Sequence, residues 1–165
     1  MNARREFDRV FDDYFKSVYA YFSLCFSPGA AEDCAQQVFL NVWRALRAPG
    51  ARLPANWRAW VFRLAVNVKN DRLRRQYAAP REQAYEEAAL PDSAGPDIAG
   101  LAVREAFARL GESDREVLLL KSQGFTGAEI GGLLGLSASA ARSRLAAARA
   151  RFRATLAENG VTVDG

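Results

Sequence analysis

The stretch "TGAEIGGLLGLSASAARSRLAAARARFRATL" (Thr126–Leu156) decides how the last third of the chain folds. It contains two helix starts separated by one turn. "TGAE" is a capping box: the Thr126 hydroxyl can accept from the amide three residues on, and the Glu129 carboxylate can reach back. That spacing predicts a short helix over "GAEIGGLLG". Gly135 then turns the chain, and Ser137 can cap a second helix. This second helix is long and rich in alanine, the best helix former, and holds five arginines and no acid as far as Leu156. Ile130, Leu133 and Leu134 would pack against Leu136, Ala141 and Leu145. A short helix, a glycine-containing turn of about three residues and a second helix make a helix-turn-helix layout. Taken by itself, such a hairpin also fits an ordinary four-helix bundle.

Upstream, "LAVREAFARL" reads as a helix. "SDRE" (Ser113–Glu116) reads as another capping box, opening a helix that Gly124 ends. Residues 77–100 hold three prolines and no sustained periodicity, which predicts a linker with a helical turn near "REQAYEEAA". At the N-terminus, Phe7, Val10, Phe11, Tyr14, Phe15, Val18, Tyr19 and Phe22 recur at helical spacing and form a core stripe. Ser27 caps the next helix, with Pro28 at its first position. Its inner face is Cys34, Ala35, Val38, Phe39, Val42 and Leu46. Glu32 and Asp33 fall in its first turn and Arg44 and Arg47 near its end, matching the helix dipole. A Pro- and Gly-containing loop, Arg47 to Asn56, leads to "WRAWVFRLAVNVKNDRLRR", where Trp57, Trp60, Val61, Leu64, Ala65 and Val68 form the buried stripe. The expected fold is all-α. Two small helical domains (1–76 and 101–158) are joined by a flexible acidic linker (77–100), with a tail at 159–165.

The chain has 165 residues and no histidine, so the commonest acid/base group is missing. No Walker loop, dinucleotide fingerprint or nucleophile elbow is found. Cys25 and Cys34 lack metal-ligand spacing and read as small buried residues. Asp12-Asp13 and Glu86-Glu87 read as solvated faces. An enzyme, a metal site and a cofactor are therefore not expected. No apolar run suits a membrane span and no signal peptide is visible, so a cytoplasmic protein is expected.

The net charge of +4 is unevenly spread. Residues 1–76 carry +6, 77–100 carry −4, 101–136 carry −1 and 137–165 carry +3. Two basic bodies joined by an acidic strap suggest a polyanion contacted twice. In a helix-turn-helix the second helix enters the DNA major groove with its N-terminal residues at the base edges. Here these are Ala138, Ser139, Ala140, Arg142 and Ser143. Arg142 can bond guanine bidentately, and Ser139 and Ser143 can reach bases or phosphates. Arg144, Arg149, Arg151 and Arg153 suit backbone contacts or a charged surface. Leu145, Ala148, Phe152 and Leu156 form the inward stripe. Far upstream, Arg63, Asn67, Asn70 and Arg74 share one helix face. Asparagine is a poor mid-helix residue because its amide competes with the backbone. Two of them among arginines suggest amides wanted for hydrogen bonding.

Both halves together resemble a bacterial RNA polymerase sigma factor of the extracytoplasmic-function (ECF) type, over nearly the whole chain. "AEDCAQQVFLNVWRAL" resembles the region 2 motif A-E-D-x-x-Q-E-x-F-x-x-x-W, and "WRAWVFRLAVNVKNDRLRR" the helix that follows it. "LGESDREVLLLKSQGFTGAEIGGLLGLSASAARSRLAAARARFR" resembles region 4. The resemblance implies that region 2 docks on the β′ clamp coiled coil of core RNA polymerase through Asp33, Gln36, Gln37, Val38 and Trp43. It implies that this region also recognises and melts the promoter −10 element. A flipped base would be captured near the Arg47–Asn56 loop, and the helix of Arg63, Asn67, Asn70 and Arg74 would read the exposed strand. Region 4 would bind the −35 element through Ser137, Ser139, Arg142, Ser143, Arg144 and Arg149 and touch the β flap. The acidic linker would thread through the polymerase. The implied partners are core polymerase, promoter DNA and, as is common for this type, an anti-sigma factor.

Some positions depart from the pattern. Gln37 replaces the usual acid, Asn41 stands where a charge is common, and Gly111 stands where proline is common. Ala147 replaces a frequent arginine, and Ala146 beside it is equally small, which predicts sparse −35 reading. Gly131 and Gly132 are expected to loosen the short helix by about 1 kcal/mol each relative to alanine. Two other readings compete: a free-standing helix-turn-helix regulator, and a sigma-like mimic that occupies an anti-sigma factor.

Overall fold

Ser27 and Pro28 start their helix as the sequence requires: the Ser27 hydroxyl accepts from the Ala30 amide at 3.5 Å, and Pro28 opens the first turn. The structure is a computed structural model that describes residues 1–78 and 98–160. The helical turn expected near "REQAYEEAA" and the Glu86-Glu87 pair lie outside the described residues. Seven helices and no strand are found among the described residues: α1 Ala3–Ser23, α2 Pro28–Arg47, α3 Trp57–Ala78, α4 Ile98–Ala108, α5 Glu112–Ser122, α6 Gly127–Leu134 and α7 Ala138–Glu158. They divide into two compact units, one built of α1–α3 and the other of α4–α7. The all-α expectation is met. Helices α3 and α4 each run two or three residues into the segment expected to be linker. Because α2 begins at Pro28, Glu32 and Asp33 fall in its second turn, where the dipole has weakened.

In the first unit each helix faces two neighbours, so its buried arc is wider than a single stripe. The expected inner face of α2 is fully buried. Helix α1 buries Val10, Val18, Tyr21 and Phe22, but Phe11 stays exposed and Phe7, Tyr14, Phe15 and Tyr19 are half-buried. Tyr21 stands edge-on to Phe62 of α3, with centroids 5.9 Å apart. The buried side of α3 is rotated from expectation. Phe62, Val66 and Lys69 join Val61, Ala65 and Val68 inside, while Trp57, Trp60 and Leu64 are half-exposed. Cys34 is buried and Cys25 half-buried, and both are thiols and not half of a disulfide.

In the second unit, α7 packs against α4, α5 and α6. Leu145, Ala148 and Leu156 are buried, and Phe152 is half-buried edge-on to Phe107. The capping box of α6 forms in both directions: the Glu129 amide donates to Thr126 Oγ1 at 3.2 Å, and the Thr126 amide to Glu129 Oε1 at 3.0 Å. Gly124 and Gly135 take left-handed φ values of 86° and 71°, where glycine escapes the Cβ clash. The box expected at Ser113 does not form. Helix α5 starts two residues earlier, with Gly111 as its N-cap and no side-chain cap bond. This frame turns Asp114 toward α7, where Arg151 holds it through two hydrogen bonds of 2.5 and 2.8 Å. A charge-assisted bidentate pair outweighs the Ser113 cap.

Gly131 and Gly132 have opposite characters. A Cβ on Gly131 would lie 2.6 Å from the Leu136 carbonyl oxygen and 3.1 Å from that of Ser137. Gly131 is therefore the point where α6 meets the following turn, and only Gly132, with nothing within 4 Å, loosens the helix.

Candidate nucleic-acid interface

The turn between α6 and α7 sets how the arginine helix is presented. The Leu136 amide donates to the Gly131 carbonyl at 2.8 Å, and the Ala140 amide to Ser137 Oγ at 3.1 Å. Ser137 thus acts as the helix cap, which leaves its hydroxyl proton to donate. At 3.6 residues per turn, Ser139, Arg142, Ser143, Ala146 and Arg149 fall along one stripe of α7, and all five are exposed. The opposite stripe is the core of the unit. This surface combines a long bidentate donor, two hydroxyls and a second guanidinium, with a methyl group between them.

Arg144 and Arg151 lie on a different flank. The Arg151 hydrogen bonds hold the Asp114 carboxyl below its usual range despite the burial that pushes it up, and the positive charges of Arg151 and Arg144 lower it further. Asp114 in turn raises the Arg151 guanidinium. Arg151, expected as a DNA-backbone contact or a surface charge, ties α5 to α7. Arg144 is half-buried on that flank and not on the stripe of Arg142.

In the first unit, Arg63, Asn67 and Arg74 are exposed on α3 and Asn70 is half-buried. Arg74 pairs with Asp71 at 2.5 Å. Exposed pairs of this kind contribute at most about 1 kcal/mol, so the guanidinium can be exchanged to another anion. The preceding loop turns at Gly50, with φ 75°, and ends where the Ala59 amide donates to Asn56 Oδ1 at 3.1 Å. Beside it, the half-exposed Trp57 and Trp60 rings stand edge to face at 5.5 Å, and the Arg9 guanidinium lies 5.9 Å from the Trp57 ring. The sequence stripe had placed both tryptophans in the core.

The residues expected to meet a protein partner on α2 separate into two faces. Asp33 and Gln37 line a polar groove with Asn41, Asp71, Arg72 and Arg75. Gln36 and the half-buried Trp43 border an apolar hollow with Phe7, Phe11 and Leu40. Val38 belongs to neither, being 0% exposed in the core, and no partner can reach it without unfolding α2. Leu40, 41% exposed, was missed. A sequence signal existed for it, since it is a large apolar residue outside the inner face of its helix.

Residues 10–78 match the family model of Sigma-70 region 2, and residues 100–152 that of Sigma-70, region 4. The RNA polymerase sigma factor CarQ of Myxococcus xanthus is 32% identical over 164 residues, covering 94% of this chain and 92% of that protein. The ECF RNA polymerase sigma factor SigL of Mycobacterium tuberculosis is 30% identical over 139 residues, covering 80% and 77%. The chain belongs to the ECF sigma-factor family. Sigma factors are non-enzymatic initiation factors of transcription, with DNA-binding regions 2 and 4. The helices of this sigma factor also superpose on those of the sigma factor RpoE of Bartonella quintana, solved with the anti-sigma factor NepR. The TM-score is 0.72 at 21% identity over 93% of this chain and 98% of that one, a likeness of fold. No helix among the described residues of the sigma factor is long and apolar enough to cross a membrane.

Proposed function

We propose that this ECF sigma factor binds core RNA polymerase and directs it to promoters by contacting two DNA elements with two units. Residues 101–158 take the −35 duplex, with Ser139, Arg142 and Ser143 at the base edges. Ser137, Arg149 and, from its flank, Arg144 serve the phosphates. Residues 1–76 recognise and open the −10 element through Arg63, Asn67, Asn70 and Arg74. The asparagine amides suit base edges and the arginines the backbone of a separated strand. The half-exposed Trp57 and Trp60 rings stand by the loop that would receive a flipped base. Asp33, Gln36, Gln37 and Trp43, joined by Leu40, meet the β′ clamp coiled coil, and the second unit meets the β flap. Residues 77–100 are the acidic strap between the two units. The chemistry belongs to the polymerase, and the factor works in the cytoplasm, where polymerase and promoters are. An anti-sigma factor is a further partner, as in the complex of the structural neighbour.

The observation that carries this reading is that α7 buries Ala141, Leu145, Ala148 and Leu156 on one stripe and exposes Ser139, Arg142, Ser143 and Arg149 on the other. A protein that only occupied an inhibitor would not need that stripe. The test is in vitro transcription with purified core polymerase and a promoter library. The expected result is transcription from a defined subset of promoters. A stable complex with core that yields no promoter-specific transcript would refute the proposal and favour the mimic.

A further inference from the structure

Gly127 is the first residue of α6, and its glycine identity has no backbone cause. Its φ is not positive, and alanine is the better helix former. What its missing side chain provides is space. A Cβ there would lie 2.5 Å from Cγ of Arg142, 3.4 Å from its Cδ and 3.8 Å from its Cβ. The aliphatic stem of Arg142 therefore runs directly over the Gly127 Cα.

Neither backbone is free to yield. The start of α6 is held by the reciprocal Thr126–Glu129 cap. The start of α7 is held by the Ser137 cap and by the approach of Gly131 to the Leu136 carbonyl. Cγ is the second atom of the Arg142 side chain, so its position is set by χ1 alone. Of the three staggered χ1 wells, one clashes with the preceding turn of a helix. Blocking the lane over residue 127 forces the stem toward the one remaining well, and the guanidinium moves to a different side of the helix. The Arg142 head group makes no ion pair among the described residues, so no ion pair competes with the lane in setting the direction in which its stem leaves the helix.

We propose that Gly127 is a positioning residue for −35 reading: its bare Cα forms the lane that aims Arg142 at a guanine edge in the major groove. The inference rests on the reading of Arg142 given above and adds a residue on the other helix of the helix-turn-helix.

The test uses the full chain with core polymerase, transcribing a promoter library randomised across the −35 element. The variants are Gly127→Ala, Arg142→Ala, their combination, and Gly132→Ala as a control glycine with open space around it. Arg142→Ala is expected to lower the preference for one or two guanines by roughly 5- to 150-fold, the worth of one bidentate pair. Gly127→Ala should lower the same preference and leave others intact, the combination should be no worse than Arg142→Ala, and Gly132→Ala should match the wild type. Hydrogen exchange in α6 and α7 serves as the folding check. If Gly127→Ala loosens these helices, adding Arg142→Ala should restore their protection by removing the clashing stem; loosening that persists in the combination overturns the proposal. An unchanged −35 preference in Gly127→Ala, or losses that multiply in the combination, overturns it while leaving Arg142 as a reader. An unchanged preference in Arg142→Ala overturns the reading of Arg142 itself, and the lane with it.

Discussion

Alanine substitutions at Gly131 and Gly132 should change the stability of the second unit in opposite directions. Both residues sit in α6, and both substitutions gain about 1 kcal/mol of helix propensity. At Gly132 that gain is uncontested, because a Cβ meets nothing within 4 Å. At Gly131 the new Cβ would lie 2.6 Å from one carbonyl oxygen and 3.1 Å from the next, and both belong to the backbone of the turn. No side-chain rotation relieves that contact. The turn must move, at the roughly 1–3 kcal/mol typical of overpacking. It also stretches the 2.8 Å bond from the Leu136 amide to the Gly131 carbonyl, worth about another 1 kcal/mol. Gly131→Ala should therefore destabilise by about 1–3 kcal/mol and Gly132→Ala stabilise by about 0.5–1 kcal/mol. For a unit of this size the two variants should melt on the order of 10 °C or more apart. All three tryptophans (Trp43, Trp57 and Trp60) lie in the first unit, so tryptophan fluorescence reports only on that unit. Urea-dependent hydrogen exchange of α6 and α7 is the direct assay. Equal shifts for the two variants would refute the assignment of Gly131 to a close approach.

Three further predictions concern the remaining sites. Asp114→Asn should lower the melting temperature of the second unit by about 5 °C at pH 7. The folded carboxyl titrates below its unfolded value, so its contribution is complete above about pH 4 and is lost as the pH falls through the lower, folded value. The variant should accordingly lose less stability than the wild type on acidification below pH 4, as thermal melts across pH would show. Val38→Ala should cost about 2 kcal/mol of first-unit stability without a specific effect on core polymerase. Leu40→Asp should weaken polymerase binding roughly tenfold with little change in melting, and fluorescence melts beside a binding titration separate the two. Finally, Arg142→Ala should relax −35 preference, whereas Asn67→Ala should impair −10 recognition or opening, each by roughly tenfold in transcription from matched promoter libraries. Equal, sequence-independent losses would refute that division of roles.

Much of the architecture was legible because it rests on local chemistry. Thr126 and Glu129, Ser137, and Ser27 with Pro28 satisfy helix-end amides within three residues of chain, and a left-handed turn at Gly135 needs a residue without a Cβ. The inner face of α2 followed from spacing alone. The expected reading stripe of α7 was also visible, because its apolar and polar residues separate at helical period. What misled was any position with two plausible environments. Phe11, Trp57 and Trp60 have the spacing of core residues, yet the neighbouring helices cover them only in part. Val38 lies in the motif that suggests partner contact, yet its side chain points into the bundle.

The amino-acid sequence by itself determined the helices, most of their caps, the order of the two units and the family, since each depends on contacts a few residues apart or on motif spacing. Only the tertiary structure decided which chemically similar residues have which job. Arg151 is tied to Asp114 while Arg142 faces outward, and Gly131 and Gly127 meet other atoms while Gly132 meets none. These differences arise between helices far apart in sequence, where the rotation of one against the other selects which side chain meets a carboxylate, which a carbonyl and which remains available to DNA.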